Sequence, residues 1–202
     1  MKTDELMRLA PVIPVLVLDE QMDWAALAET FVAAGLPVLE VTLRTPVAMD
    51  AIRAMSAVPG AVVGAGTVLN EVQLAQALDA GSQFIVSPGL TNPLALAARD
   101  TEVAFLPGVA TAGDIMRGID LGLDRFKFFP AESSGGIPAL KALSGPFGNV
   151  RFCPTGGIRP DTAADWLSEP AVLCVGGTWF VKPGDNFDAI GERARDAAAL
   201  AR

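Results

Sequence analysis

The chain contains no histidine and no tyrosine. The usual zinc enzymes and the Ser-His-Asp hydrolases both depend on imidazole, so both classes are excluded. Proton transfer must fall to Asp, Glu, Lys, Cys, water or the substrate itself. Cysteine is scarce: the two present lie in the apolar runs Phe152-Cys153-Pro154 and Leu173-Cys174-Val175. That placement suits small buried side chains in a reducing cytoplasm, not a disulfide framework or a zinc site. No run of Lys or Arg marks a nucleic-acid footprint, and 15 basic against 23 acidic residues leave a net charge of -8, which disfavours polyanion binding. Long apolar runs are missing too. Mean hydropathy is positive, yet Gly, Pro or a charge interrupts every apolar stretch well short of the roughly 20 residues that span a bilayer. Segment 1–10 carries Lys2, Asp4, Glu5 and Arg8 with no apolar centre, so it is not read as a secretory signal. The expectation is a cytoplasmic protein with neither nucleic acid nor membrane as partner.

What is present is a large apolar fraction, 51% of 202 residues, enough to bury one substantial core. Short β-like runs alternate with helical ones. Strands are predicted over 11–18, 37–44, 61–68, 83–89, 103–109, 125–131, 150–157 and 172–179. Helices follow over 23–34, 47–55, 71–80, 93–99, 112–122, 138–143, 161–167 and 187–201. Asn92 before Pro93 reads as a capping side chain ahead of a proline at the first helical position. Eight βα units in this length predict a single closed (β/α)8 barrel over 1–202, with a short N-terminal helix, rather than an open doubly wound sheet. The predicted strands end in Gly- or Pro-rich rims, and in such barrels the loops after the strands build the active site. Ser133-Ser134-Gly135-Gly136 reads either as a mobile loop after the sixth strand or as an ordinary connection.

Strand alternation places individual side chains. In Val38-Leu39-Glu40-Val41-Thr42-Leu43-Arg44, the apolar Leu39, Val41 and Leu43 share one face and Glu40, Thr42 and Arg44 the other. Helices cover the outside of a barrel, so the polar face points to the lumen or its mouth. In Arg125-Phe126-Lys127-Phe128-Phe129-Pro130, Phe126 and Phe128 pack outward and Lys127 faces inward, where Glu40 can meet it. Burial disfavours an ammonium ion, and the neutral amine is the form that adds to a carbonyl carbon, which points to Schiff-base chemistry. A lysine that snorkels to solvent, or a buried structural Glu-Lys-Arg cluster, is the alternative reading. Gly156-Gly157 and Gly176-Gly177 close the seventh and eighth strands, where barrels frequently bind phosphate, and glycine lets backbone N–H groups approach an anion closely. Thr155 and Thr178 add hydroxyls there. Plain turn formation explains the same glycines.

Four blocks, residues 38–45, 64–69 (Gly64-Ala65-Gly66-Thr67-Val68-Leu69), 126–132 (Phe126-Lys127-Phe128-Phe129-Pro130-Ala131-Glu132) and 151–158 (Arg151-Phe152-Cys153-Pro154-Thr155-Gly156-Gly157-Ile158), closely resemble the bacterial 2-keto-3-deoxy-6-phosphogluconate aldolases. Ser87-Pro88-Gly89 and Leu106-Pro107-Gly108 extend the resemblance over essentially the whole chain. It implies a class I lyase of the Entner–Doudoroff pathway, free of metal and cofactor, usually a homotrimer. Such enzymes cleave a phosphorylated 2-keto acid to pyruvate and glyceraldehyde 3-phosphate, and often cleave 4-hydroxy-2-oxoglutarate as well. By the same resemblance Lys127 is the Schiff-base lysine and Glu40 the general acid/base. Arg44 and Thr67 hold the pyruvyl carboxylate, and Pro107 and Gly108 line the site. Thr155, Gly156, Gly157, Gly177 and Thr178 take the phosphate. Thr178 departs from the serine common in the family, which touches phosphate affinity and not the chemistry. The rivals left open are the phosphogalactonate aldolase, a sugar-phosphate isomerase and a non-catalytic phosphate-binding barrel.

Overall fold

The computed structural model describes residues 1–201, so Arg202, at the end of the domain expected over 1–202, lies outside it. A short helix α1 (Thr3–Arg8) precedes eight strands, each followed by a helix. In order these are β1 (Val12–Leu16), α2 (Trp24–Ala33), β2 (Val38–Thr42), α3 (Ala48–Ser56), β3 (Val62–Gly66), α4 (Glu71–Asp79), β4 (Phe84–Ser87) and α5 (Asn92–Asp100). The second half comprises β5 (Ala104–Val109), α6 (Ala112–Asp120), β6 (Arg125–Phe128), α7 (Gly136–Ser144), β7 (Arg151–Pro154), α8 (Pro160–Leu167), β8 (Val175–Gly177) and α9 (Phe187–Ala198). All strand pairs are parallel, in the order β7-β6-β5-β4-β3-β2-β1-β8. Single bridges from Phe152 to Val172 and from Thr155 to Gly176 join the two ends. The sheet is therefore a nearly closed (β/α)8 barrel, as the alternation predicts.

Two apolar layers hold it. The outer one packs the outward faces of the strands, among them Leu39, Val41, Phe126, Phe128 and Phe152, under the helices. Phe126 reaches its place because α6 carries Gly118 there, whose Cβ would overlap the ring. Phe128 packs against Trp166 of α8, ring centroids 6.3 Å apart. Each buried phenylalanine contributes about 2 kcal/mol. The inner layer fills the lumen with Ile13, Val38, Phe84, Val86, Ala104, Leu106, Cys153 and Cys174, and Leu6 and Met7 of α1 belong to it. Helix α1 thus stoppers the barrel, and a salt bridge from Asp4 to Arg125 of β6 (2.6 Å) and the hydroxyl of Thr3, donating to the Phe105 carbonyl, tie it in place.

Three local expectations need correction. The strands are shorter than predicted: β8 spans three residues instead of 172–179, and β2 stops at Thr42. Leu43 and Arg44 form a turn in which the Arg44 N–H donates to the Thr42 carbonyl, so Arg44 is exposed beyond the strand instead of lining it. The cap of α5 is displaced by one residue: Thr91 is the N-cap in extended conformation and Asn92 is already helical. The residue before a proline normally avoids helical angles, which is why the pattern reads as Asn92-cap. Both cysteines are buried, as expected.

Candidate active site

Lys127 sits mid-strand in β6, paired across the sheet with Gly108 of β5 and Cys153 of β7. The outward packing of Phe126 and Phe128 leaves its side chain in the lumen, where Nζ lies 3.0 Å from Glu40 Oε1 and 3.3 Å from Oε2. The two side chains are only 7% and 4% exposed. Strands β2 and β6 stand four apart in the eight-stranded order, so the pair spans the barrel. Phe129, next after β6, turns its ring toward the amine, centroid 5.3 Å from Nζ, a further cation-stabilising contact. A buried pair of this kind gains little net stability, because desolvation of both ions offsets their attraction. It can move a proton within itself, however, leaving a neutral amine beside a neutral acid with no change of net charge.

Glycines make the room. A Cβ at Gly66, the last residue of β3, would overlap Glu40 Oε1 and lie 2.6 Å from its Cγ. A Cβ at Gly108 would overlap the Pro88 carbonyl oxygen, so the loop after β4 crosses directly over β5 beside Lys127. Pro107 and Gly108 are both buried on β5. Thr67 follows Gly66 with φ 62, a left-handed conformation that is uncommon for a β-branched residue and is found mostly where a site demands it.

The glycines after β7 and β8 have distinct origins. Gly156 and Gly157 adopt φ 100 and 83, conformations that other residues resist, and a Cβ on Gly157 would stand 2.7 Å from Glu132 Cβ. Among the described residues nothing accepts a hydrogen bond from either N–H. At Gly176 the constraint is the side chain of Thr155, whose Cγ2 would lie 2.8 Å from a new Cβ, and at Gly177 it is the Trp179 ring. Thr155 is buried with its hydroxyl directed to the Cys153 carbonyl (3.4 Å), while Thr178 is exposed at the rim. The structure thus joins Lys127, Glu40 and Gly108 in the lumen and sets Arg44, Gly157 and Thr178 on exposed rim positions. Gly66 and Phe129 were absent from the predicted site; the parity of Phe129 with Lys127 was a usable signal, whereas nothing local in sequence ties Gly66 to Glu40. Among the described residues no group of three His, Cys, Asp or Glu side chains is placed to hold a metal ion.

Fold and pair together define a class, the (β/α)8 enzymes whose lumen amine can add to a carbonyl carbon. The chain belongs to the KDPG and KHG aldolase family, whose model matches residues 3–192. It is 57% identical to the 2-dehydro-3-deoxy-phosphogluconate aldolase of Zymomonas mobilis, over 98% of this chain and 96% of that one. The crystal structure of the Zymomonas mobilis 2-keto-3-deoxy-6-phosphogluconate aldolase with 3-phosphoglycerate matches with a TM-score of 0.97 at 57% identity, covering 99% of this chain and 96% of that chain. The KDPG aldolase from Legionella pneumophila, with pyruvate captured at low pH as a covalent carbinolamine intermediate, matches with a TM-score of 0.94 at 42% identity, covering 98% of this chain and 99% of that chain.

Proposed function

We propose that the protein is a class I aldolase that cleaves 2-keto-3-deoxy-6-phosphogluconate to pyruvate and glyceraldehyde 3-phosphate through an imine on Lys127. The observation that carries this reading is the buried Lys127–Glu40 pair at 3.0 Å, in a family one of whose members holds pyruvate as a covalent carbinolamine. Transfer of a proton from Lys127 to Glu40 frees the amine, which adds to the C2 ketone; Glu40 returns that proton to the carbinolamine hydroxyl, which leaves as water, so a protonated imine that draws electrons from C3 stands beside a Glu40 carboxylate again. Glu40 removes the C4 hydroxyl proton, the C3–C4 electron pair moves into the enamine, and the aldehyde departs. The enamine takes a proton at C3, and hydrolysis returns pyruvate and the free lysine.

Arg44 and Thr67, at the ends of β2 and β3, are assigned the pyruvyl carboxylate. The free N–H groups of Gly156 and Gly157, with Gly177, Thr155 and Thr178, are assigned the phosphate; successive amides on left-handed backbone form an anion-binding concavity. Cleavage of 4-hydroxy-2-oxoglutarate is assigned to the same site, consistent with a family that spans both substrates. The protein is placed in the cytoplasm as a homotrimer, and the exposed Leu69 and Val72 beside β3 supply apolar surface of the kind a subunit contact covers.

Incubation with pyruvate and sodium borohydride, followed by peptide mapping, tests the reading. A reduced pyruvyl adduct on Lys127 is expected, and an unmodified Lys127 in folded protein would sink the imine and return the isomerase or the binding barrel. Turnover of the gluconate-series substrate and of its C4 epimer then separates this activity from that of the phosphogalactonate enzyme.

A further inference from the structure

We infer that Gly66 is a positioning residue for the carbon–carbon cleavage step, acting through Glu40; the inference rests on the roles assigned to Lys127 and Glu40 above. In the β2–β3 register Glu40 stands beside Gly64, and Thr42 stands beside Gly66. The Glu40 side chain therefore leans along β3 toward its C-terminal end and lies over the bare Cα of Gly66. A Cβ there would overlap Oε1 and come within 2.6 Å of Cγ and 2.8 Å of Cδ.

The backbone does not ask for this glycine. Gly66 is not among the residues of positive φ, unlike Gly156 and Gly157, so alanine would fit the chain conformation. Nor can β3 draw back, because the Gly66 carbonyl accepts from the Leu43 N–H (2.8 Å) and the Val68 N–H donates to the Val86 carbonyl (3.1 Å). The atoms nearest the new Cβ all belong to the Glu40 side chain, and its flexible end is what yields. Any residue larger than glycine thus displaces the carboxylate from its seat beside Lys127 while leaving the lysine on β6 untouched. Borohydride trapping accumulates the imine over time and needs only the lysine, whose proton water can take slowly once the carboxylate is displaced; deprotonation of the C4 hydroxyl in each turnover requires the carboxylate at one place. Gly66 separates the two.

The test compares wild type, Gly66→Ala, Glu40→Gln and the double variant by borohydride trapping with pyruvate and by steady-state cleavage. Gly66→Ala is expected to form the Lys127 adduct yet lose at least about tenfold in kcat, the scale of a misplaced acid/base group, with KM changed much less. In the Glu40→Gln background the same substitution should lower kcat by less than about twofold, since residues acting through one group are not additive. Wild-type kcat in Gly66→Ala, or an equal loss in both backgrounds, overturns the assignment. Absence of the adduct in wild type overturns the imine reading instead, so the two failures are distinct. Should Gly66→Ala not fold, Gly66→Ala/Glu40→Ala must fold and melt like Glu40→Ala, because the overlapping carboxylate is gone; failure of that double variant also refutes the proposal.

Discussion

Replacing Lys127 with methionine removes the charge and keeps most of the volume, and it separates what the buried pair does for chemistry from what it does for stability. At 3.0 Å and an effective dielectric of about 20, the attraction of two unit charges is about 5–6 kcal/mol. Desolvation of both ions offsets most of it, which leaves a net contribution near zero. Removing the lysine alone deletes the attraction and strands Glu40, whose side chain is 4% exposed, so Lys127→Met should lose about 3–5 kcal/mol along with all cleavage activity. Lys127→Met/Glu40→Leu replaces the pair by apolar side chains and should recover that loss or exceed wild type. Urea denaturation of the three proteins measures both numbers from midpoints at a constant slope. A double variant less stable than Lys127→Met would show that the pair is a structural strut, and retained turnover in Lys127→Met would end its assignment as the imine-forming amine.

Two further substitutions probe the frame. Met7→Ala, in the helix that stoppers the barrel and fully buried in the lumen cluster, should lower stability by about 2–5 kcal/mol in a urea titration while kcat per folded molecule stays unchanged. Asp114, the third residue of α6, closes a capping box with the N-cap Thr111: burial pushes its carboxyl up, but hydrogen bonds from the Thr111 hydroxyl and the Ala110 and Thr111 N–H groups outweigh that and hold it below the usual carboxylate range. A carboxyl depressed in the folded state stabilises above its unfolded value of about 3.9 and ceases to do so as pH falls through the folded one. Asp114→Ala should therefore lower the melting temperature at pH 7, by an amount corresponding to about 1 kcal/mol for a lost cap, with the gap to wild type closing in strong acid; a gap constant from pH 7 to pH 2 would contradict the charge argument.

Period-2 alternation carried most of what was legible in the sequence. The strands of a barrel alternate between a helix-covered face and a lumen, so a charge flanked by Phe126 and Phe128 has one place to go, and Glu40 between Leu39 and Val41 has the same place. The pair itself was therefore readable. Strand ends were not: Leu43 and Arg44 continue the alternation of β2, and the turn bond from the Arg44 N–H to the Thr42 carbonyl takes Arg44 off the sheet just past Leu43, whose N–H still reaches Gly66. The purpose of α1 was equally hidden, since six residues with Leu6 and Met7 on one face give no sign that the face meets Ile13 and Phe84 in the lumen. Glycines at strand ends read alike in sequence and differ in space. Gly156 and Gly157 serve the backbone, Gly176 and Gly177 make way for Thr155 and Trp179, and Gly66 makes way for the carboxylate of Glu40.

The position of the reactive pair along the barrel axis follows from what fills the rest. Below it, Leu6 and Met7 with Ile13, Val38 and Phe84 fill the lumen with apolar side chains, which offer a charge no partner. Above it, the strands end within a few residues of Lys127, and the backbone turns through Pro- and Gly-rich loops. A charged pair placed lower would be sealed from substrate; one placed higher would be hydrated and screened from its partner. Lys127 and Glu40 lie at the boundary: the Phe129 ring stands beside the amine, Glu40 lies over Gly66, which precedes the left-handed Thr67, and Gly156 packs near Phe129. On the roles proposed for these residues, a keto acid entering from the rim meets the Gly156-Gly157 backbone first and the amine last, and binding at its two ends sets the carbonyl carbon against Nζ before the proton moves.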